Sequence, residues 1–300
     1  MDNRDPLDRV SAEAGGPDSI RDPTSWREIP EWAKAPLRRA LGIFQLIDEV
    51  LHLSTHGIAV LQGMPEVVEA LAGVREDDED DEHKTTVQSL AVARREAELA
   101  HREVDQGFPL LHGQALLSLC GALEALIRDF LAAWLRNLPS VQEANEIKGL
   151  RVKLGEYSAL DEEDRAFYVL DLLEQKLGSL RMQGATRFEA LLKVVSLGGA
   201  VHADIRRQIF EMFKIRNVLI HRSGIADRKF RQECPWLEIQ VGDTVTVSNE
   251  AFRRYQEVVV EYVLDLICRV GEYFAMDYST IRADQAKRLA EKAWVTTEDG

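Results

Sequence analysis

The chain has 300 residues, 45% of them hydrophobic, which is enough for one large domain or two small ones with a sizeable core. Its formal net charge of -14 argues against a protein that coats nucleic acid over its whole surface, but it leaves room for a local basic site. The three cysteines are far apart, and no uninterrupted apolar run approaches the ~18 residues of a membrane span, so we expect a cytoplasmic protein with reduced thiols and no membrane association.

The first 84 residues predict a tail, two helices and an acidic linker. Residues 1–24 are rich in Asp, Arg, Pro and Gly without apolar periodicity, which is typical of a disordered tail. The remainder, 25–84, is a helical region in which apolar residues recur at helical spacing over 31–53 and again over 65–74. The run 75–83 is almost entirely acidic, and its mutual repulsion predicts a solvated linker. A carboxylate metal site is the alternative, although the run lacks the glycine spacing of a calcium loop.

The region 85–277 predicts a helical bundle, and 278–300 predicts a last polar helix and tail. Apolar periodicity predicts the helices, which are 85–106, 108–137, 142–154, 162–177, 187–197, 203–221, 250–274 and 281–294. Alternating apolar and polar residues over 237–241 and 244–247, joined by Gly242-Asp243, predict one small β-hairpin. The predicted fold class is therefore all-α, with one small β-hairpin and an additional N-terminal helical region.

The most suggestive stretch is Arg216-Asn217-Val218-Leu219-Ile220-His221, followed at once by Arg222-Ser223-Gly224. It ends the predicted helix 203–221, and Gly224 is placed to terminate that helix. It also lies in a basic window, 204–231, whose eight Lys and Arg and three Asp and Glu give a net charge of +5. A solvated helix face would give the same charge pattern.

These residue types are suited to cleaving RNA without a metal or a cofactor. Histidine transfers protons near neutral pH, so it could accept a proton from the attacking 2′-OH or donate one to the leaving 5′-oxygen. Arginine stays charged and holds two phosphate oxygens in its fork. We predict Arg216 and His221 as the catalytic pair, Asn217 as a supporting residue that orients the imidazole or the phosphate, and Arg222 as a phosphate-binding residue.

Helical geometry limits how this site can close. At ~100° per residue, Asn217 and His221 share a face, while Arg216 lies about 140° from His221. Within one helix the catalytic pair therefore flanks a site rather than meeting in it. Two such helices packed antiparallel would bring Arg and His from both chains into one cleft, so the hypothesis requires a homodimer. The alternative interpretation is a basic helix end whose Asn and His serve as caps.

The segment resembles the HEPN superfamily, whose ribonuclease members carry Arg, a polar residue, three variable residues and His near the end of a late helix. Arg216, Asn217 and His221 fit that pattern, and the continuation through Asp227 is similar to the loop seen in several members. The long apolar helix containing the acidic residue Glu124 also resembles those proteins. The resemblance covers roughly 108–274 and leaves the first hundred residues unexplained.

The resemblance implies a dimeric, metal-independent endoribonuclease that acts on RNA in antiphage defence or as a toxin, with an antitoxin or a defence complex as a possible partner. One branch, paired with nucleotidyltransferase antitoxins, has Tyr two residues after the His. This chain has Ser223 there, so we do not predict that partner. The alternative function is a non-catalytic HEPN-like sensor or scaffold subunit, because many members are inactive and this chain is acidic.

Two further patterns have plainer interpretations. Glu124 precedes Arg128 by four residues, which predicts an ion pair along one helix. His52 and His56 have a spacing that could bind zinc, but no third ligand is near them in sequence, so we favour a pair on a helix surface. No metal site is therefore predicted.

Overall fold

The structure is a computed structural model that describes residues 23–73, 80–178 and 182–291. All the regular structure of these residues is helical, and they contain no β-strand, which confirms the all-α class. The α-helices of the described chain are α1 (Pro23–Glu28), α2 (Glu31–Leu61), α3 (Met64–Gly73), α4 (Asp80–Asp105), α5 (Pro109–Asn137), α6 (Pro139–Gln142), α7 (Asn145–Lys148), α8 (Leu154–Ala159), α9 (Glu162–Leu177), α10 (Ala185–Leu192), α11 (Ala203–His221), α12 (Arg228–Glu233), α13 (Asn249–Tyr273) and α14 (Ser279–Glu291). Short 3-10 helices cover Lys193–Val195 and Pro235–Leu237.

Most of the long helices follow the predicted apolar periodicity, with three differences. The helix α2 extends eight residues further than predicted, to Leu61, because apolar residues continue along it. The predicted helix over 142–154 is wrong, because Gly149 ends α7 and the chain stays non-helical until α8. Residues 1–22 of the predicted tail and most of the acidic linker lie outside the described residues. The tail prediction is wrong at residues 23 and 24, which begin α1, and α4 begins at Asp80, within the acidic run.

The predicted β-hairpin is not found. Pro235–Leu237 forms a 3-10 helix, and Glu238 after it has a left-handed backbone with φ of 54°, so the first predicted strand does not extend. Gly242 adopts φ of 96° in the turn that was expected there. The second predicted strand pairs elsewhere: Ile225 and Thr244 form an isolated antiparallel bridge, flanked by hydrogen bonds between the segments 224–226 and 242–245. A local alternation pattern cannot reveal a partner that lies twenty residues away.

The chain divides into two compact units, which are described separately. The first holds the described residues up to Phe44, the segment Leu119–Asn217 and the described residues from Tyr255 onward. The second holds Gln45–Ser118 and Val218–Arg254 within the described ranges.

The first unit has an aromatic core around Trp134. Its indole is fully buried and lies edge-on to Trp32, at 5.4 Å between ring centroids, and to Tyr273, at 4.7 Å. Aromatic pairs in this geometry add to the stabilisation that burial alone provides.

A half-buried carboxylate also ties the helices of the first unit together. Glu189 on α10 accepts hydrogen bonds from the Arg269 guanidinium at 2.8 and 2.9 Å, from the Tyr262 hydroxyl at 2.9 Å and from the Gly199 N–H at 2.8 Å. Burial, followed by the Glu189 charge, raises the pKa of Tyr262 well above its ordinary value, which keeps this hydroxyl a hydrogen-bond donor. The network fixes α10 against α13.

The second unit is held by smaller contacts. α3 packs against α4, and the ring of His112 on α5 lies 6.2 Å from that of Phe252 on α13. Val245 and Val247, from the segment predicted as a strand, are buried.

Among the described residues, one helix, α5, is long and apolar enough to cross a membrane by length and composition alone. Half of its most apolar window is buried inside the protein, and core helices often pass the same test. The three cysteines, Cys120, Cys234 and Cys268, are buried and free of disulfides.

Candidate functional site

The three predicted residues Arg216, Asn217 and His221 all lie on the continuous helix α11, which ends at His221. The middle of this helix is inaccessible, because all five residues of 211–215 are buried. Its last turn is open: Asn217 is half-buried, Ile220 is exposed, and so is His221. A partner could therefore reach the end of α11 but could not pack along its whole length.

Arg216 is half-buried and held by its neighbour in the first unit. Its Nη1 donates to Asn217 Oδ1 at 3.1 Å. The sequence left open whether Asn217 orients the imidazole or the phosphate, and here its carbonyl oxygen restrains the guanidinium. A half-buried, restrained cation gives up less conformational freedom on binding a phosphate than a freely rotating one.

Arg216 also lies within electrostatic reach of α5. The pKa of the Cys120 thiol is raised to about 12, mainly by burial and then by the charge of Glu124, while the positive charge of Arg216 lowers it in part. Cys120 Sγ lies 4.0 Å from the Met212 carbonyl oxygen one turn before Arg216, so the two helices pack closely at this level. The acidic residue of the long helix and the arginine of the motif therefore act on the same thiol.

Glu124 does not form the expected ion pair with Arg128. Glu124 Oε1 lies 3.4 Å from Arg187 Nη1, whereas Arg128 pairs with Asp171 at 2.7 Å and with Glu174 at 3.2 Å. Glu174 is buried and also binds Arg187, so it bridges the two arginines. A rule based on spacing within one helix could not find Arg187, which lies 63 residues away.

The end of α11 is fixed by a left-handed turn in the second unit. Ser223 and Gly224 have φ of 51° and 79°, and the Gly224 N–H donates back to the Val218 carbonyl at 3.1 Å. This bond satisfies one of the carbonyl groups that a helix leaves unpaired at its C-terminus. The sequence prediction that Gly224 terminates the helix is confirmed.

The predicted phosphate-binding residue Arg222 is exposed and has a carboxylate partner. Its Nε lies 3.4 Å from Asp227 Oδ2, and the other oxygen of Asp227 accepts the Phe230 N–H at 2.8 Å to cap α12. Because exposed ion pairs contribute little free energy, a phosphate could displace Asp227 from Arg222 at small cost. This capping role of Asp227 was not predicted from the sequence, although the position of Asp227 just before a short helix indicates it.

His221 is the most accessible of the predicted catalytic groups. Within the described part of the chain its imidazole makes no hydrogen bond or ion pair. Both ring nitrogens are therefore available to a ligand, as proton transfer requires.

The basic window splits into buried and exposed charges. Lys214 is buried, with its Nζ 4.8 Å from the centroid of the Phe210 ring, and Glu211 is buried and accepts the Tyr255 hydroxyl. Arg206 and Arg207 are exposed in the first unit. In the second unit the exposed cations are Arg222, Arg228, Lys229 and Arg231. The loop after His221 thus keeps a positive surface on an acidic protein.

The other histidine pair lies on a helix surface. His52 and His56 are exposed on α2, with ring centroids 4.1 Å apart, and His56 Nδ1 lies 2.9 Å from the His52 carbonyl. No group of three or more His, Cys, Asp or Glu side chains suited to a metal ion occurs among the residues that the structure describes.

The chain matches no protein-family model, no curated protein and no solved structure.

Proposed function

We propose that the protein is a metal-independent endoribonuclease of HEPN type, with Arg216 and His221 as its catalytic pair. The observation that carries the proposal is the accessible end of α11, where an arginine restrained by Asn217 is followed five residues later by an exposed histidine. The exposed cations of the following loop support it, because an RNA backbone needs a positive surface to approach an acidic protein.

The chemistry follows from the side chains. The 2′-OH of a ribose attacks the adjacent phosphorus, the bond from phosphorus to the 5′-oxygen breaks, and the products are a 2′,3′-cyclic phosphate and a 5′-OH end. His221 handles one of the two protons, either by accepting it from the 2′-OH or by donating one to the 5′-oxygen. Arg216 stabilises the additional negative charge on the phosphoryl oxygens, and Arg222 binds a neighbouring phosphate after leaving Asp227.

A second copy of the chain completes the site in this proposal. One histidine cannot both remove and supply a proton in the same step, and the two catalytic residues of one helix lie about 140° apart around its axis. Two copies that meet at the accessible ends of α11 provide a histidine for each proton transfer. We infer cytoplasmic action in antiphage defence or toxin–antitoxin function, where RNA cleavage must be restrained until it is needed.

The test is cleavage of mixed RNA by the purified protein in EDTA. His221→Ala and Arg216→Ala should each lower the rate by at least about a hundredfold, in the range expected for lost proton transfer or lost charge stabilisation. His202→Ala and Arg206→Ala are matched controls, because His202, directly before α11, and Arg206, in its first turn, are exposed side chains of the same types far from His221 along the helix. Equal cleavage by all five proteins would refute the proposal.

The shared site has its own test. When His221→Ala protein is added in excess to the wild type, exchange of subunits places most wild-type chains in mixed dimers that lack one of the two histidines, so the activity per wild-type chain should fall by at least about tenfold. Unchanged activity per wild-type chain, despite exchange of labelled subunits, would contradict a site built from two chains.

The competing function is a non-catalytic sensor or scaffold, which the net charge of -14 favours because it weakens RNA binding overall. It predicts a stable protein partner, no RNA loss in any condition and no toxicity on expression. Cleavage that is abolished in His221→Ala would exclude it.

A further inference from the structure

The second half of α2 carries four large apolar side chains that remain largely exposed. Leu46, Val50, Leu53 and Val60 are each between 52% and 68% accessible. All four belong to the second unit, and we call them the outer seam. Exposed apolar residues that align on one helix mark a surface that binds another protein.

The spacing of the outer seam is that of a coiled coil. Leu46, Leu53 and Val60 recur every seven residues, and Val50 and Gly57 fall between them at the second position of the same heptad. A repeat of 3.5 residues per turn keeps a seam facing a partner helix, whereas a helix lying on a globular core follows 3.6. In heptad notation, Val50 and Gly57 occupy the a positions, and Leu46, Leu53 and Val60 occupy the d positions.

The chain's own packing uses the neighbouring face of the helix. Ile47, Leu51, Ile58 and Leu61 each lie one residue after a seam position and are half-buried. The apolar face of α2 is therefore broader than the part that contacts the rest of the chain. The outer seam is the part of this face that remains exposed.

Shape complementarity indicates what covers it. When two copies of this helix run antiparallel, a positions pack against d positions, so Val50 faces Leu53 of the other copy and Leu46 faces Gly57. The space where a Cβ of Gly57 would stand is open, with no atom within 4 Å. Leu46 of each copy therefore packs into the open space beside Gly57 of the other copy, once at each end of the contact.

Charge complementarity selects the same arrangement. Glu49 and His56 are exposed and occupy the g positions beside the seam. In the antiparallel register Glu49 of one copy lies opposite His56 of the other, twice by symmetry. In a parallel pair they would face Ser54 and Leu61, and no opposite charges would meet.

The existing contacts leave both groups able to pair. Glu49 Oε1 accepts from Gln45 Nε2 at 2.8 Å, and its second oxygen makes no hydrogen bond within the described residues. His56 uses Nδ1 toward the His52 carbonyl, while its Nε2 has no partner in the described part of the chain. When both nitrogens of the His56 ring carry a proton, Nδ1 keeps its bond to the His52 carbonyl and Nε2 can donate to the Glu49 carboxylate of the other copy.

We propose that the outer seam binds the outer seam of a second copy of this chain as a short antiparallel coiled coil centred between Val50 and Leu53. The helix is already formed by the fold, so association does not have to order it. The contact is short, about two heptads, which makes the dimer dependent on concentration. The proposal stands apart from the nuclease proposal, because it uses no residue of α11 and predicts self-association whether or not RNA is cleaved.

Sedimentation equilibrium of the full chain tests the surface. The wild type should self-associate through the seam, and Leu53→Gln should raise the dissociation constant of this step about a hundredfold because two central side chains lose their burial. Association through the ends of α11 should be the same in both proteins. Leu99→Gln on α4 is the matched control, since Leu99 is 54% exposed but lies outside the seam. A monomeric wild type at high micromolar concentration, or a dimer that Leu53→Gln leaves unchanged, overturns the proposal.

A charge exchange tests the orientation without touching the apolar residues. Glu49→Lys alone removes the carboxylate that faces His56, and His56→Glu alone places two carboxylates opposite one another, so each should weaken the dimer, while the double variant should restore it by pairing Lys with Glu. In a parallel dimer the double variant would show no such recovery, and that result would overturn the antiparallel arrangement.

Cross-linking gives a direct distance. The native cysteines are buried, so Val50→Cys and Leu53→Cys each add one accessible thiol. On oxidation, a mixture of the two variants should form mainly the mixed disulfide. Disulfides confined to like pairs would show a parallel contact and refute the register.

Discussion

The left-handed turn after α11 predicts how a substitution at Gly224 changes the free energy of unfolding. Gly224 has φ of 79°, and an added Cβ would meet nothing closer than the Val245 carbonyl oxygen at 3.8 Å. Gly224→Ala therefore creates no clash, and its cost is the backbone conformation alone, about 1–2 kcal/mol for an L-residue. The smaller entropy of the unfolded alanine chain offsets about 0.4–1 kcal/mol of this.

The net expectation for Gly224→Ala is a loss of about 1 kcal/mol in the free energy of unfolding. Gly121→Ala is the matched control, because Gly121 is exposed inside α5 with open space around its Cβ position. There the same substitution should stabilise by about 0.5–1 kcal/mol, since alanine is the better helix former. Opposite signs are thus expected for the same chemical change.

Urea denaturation followed by circular dichroism measures both changes, and thermal melting should show shifts of about 2–4 °C in opposite directions. Stabilisation by Gly224→Ala would refute the left-handed turn, and with it the account of how α11 ends beside His221. Gly224→Val extends the test, because a β-branched residue tolerates this conformation less well and should cost more.

Three other substitutions and measurements follow from the described contacts. Arg269→Met should destabilise by about 1–3 kcal/mol in urea denaturation, because it leaves the half-buried Glu189 carboxylate without its cation; a change below about 0.5 kcal/mol would contradict that role. Cys120 should resist alkylation at pH 8 until the protein unfolds, as mass spectrometry can show, and stability should fall as pH rises above 9, because the unfolded thiol ionises near 9 and the folded one near 12. Asp227→Ala should cost about 1 kcal/mol through the lost cap of α12, whereas Asp227→Asn should cost much less; equal losses would exclude capping as the cause.

Much of the helical fold could be predicted because its information is local. Apolar residues at a 3.6-residue period located most of the long helices, and Gly224 correctly marked the end of α11. The missed hairpin has a long-range cause. The alternating segment 244–247 finds its partner in the segment 224–226, which no pattern along the chain reveals.

The candidate site likewise combines local features that the sequence predicts with long-range contacts that it does not. The order Arg216, Asn217, His221 and its place at a helix end are properties of the sequence and of α11 alone. The partner of Glu124 is not, because Glu124 pairs with Arg187 instead of Arg128. Which oxygen a guanidinium meets depends on how distant segments pack, and spacing rules describe only neighbours on one helix.

The most direct measurement of the central claim is the chemistry of RNA ends produced by the purified protein in EDTA. Attack by the 2′-OH predicts fragments that carry a 2′,3′-cyclic phosphate and a 5′-OH, which mass spectrometry can identify, and these fragments should vanish with His221→Ala. Intact RNA, fragments with 5′-phosphate ends, or cyclic phosphates that persist in His221→Ala would contradict the account.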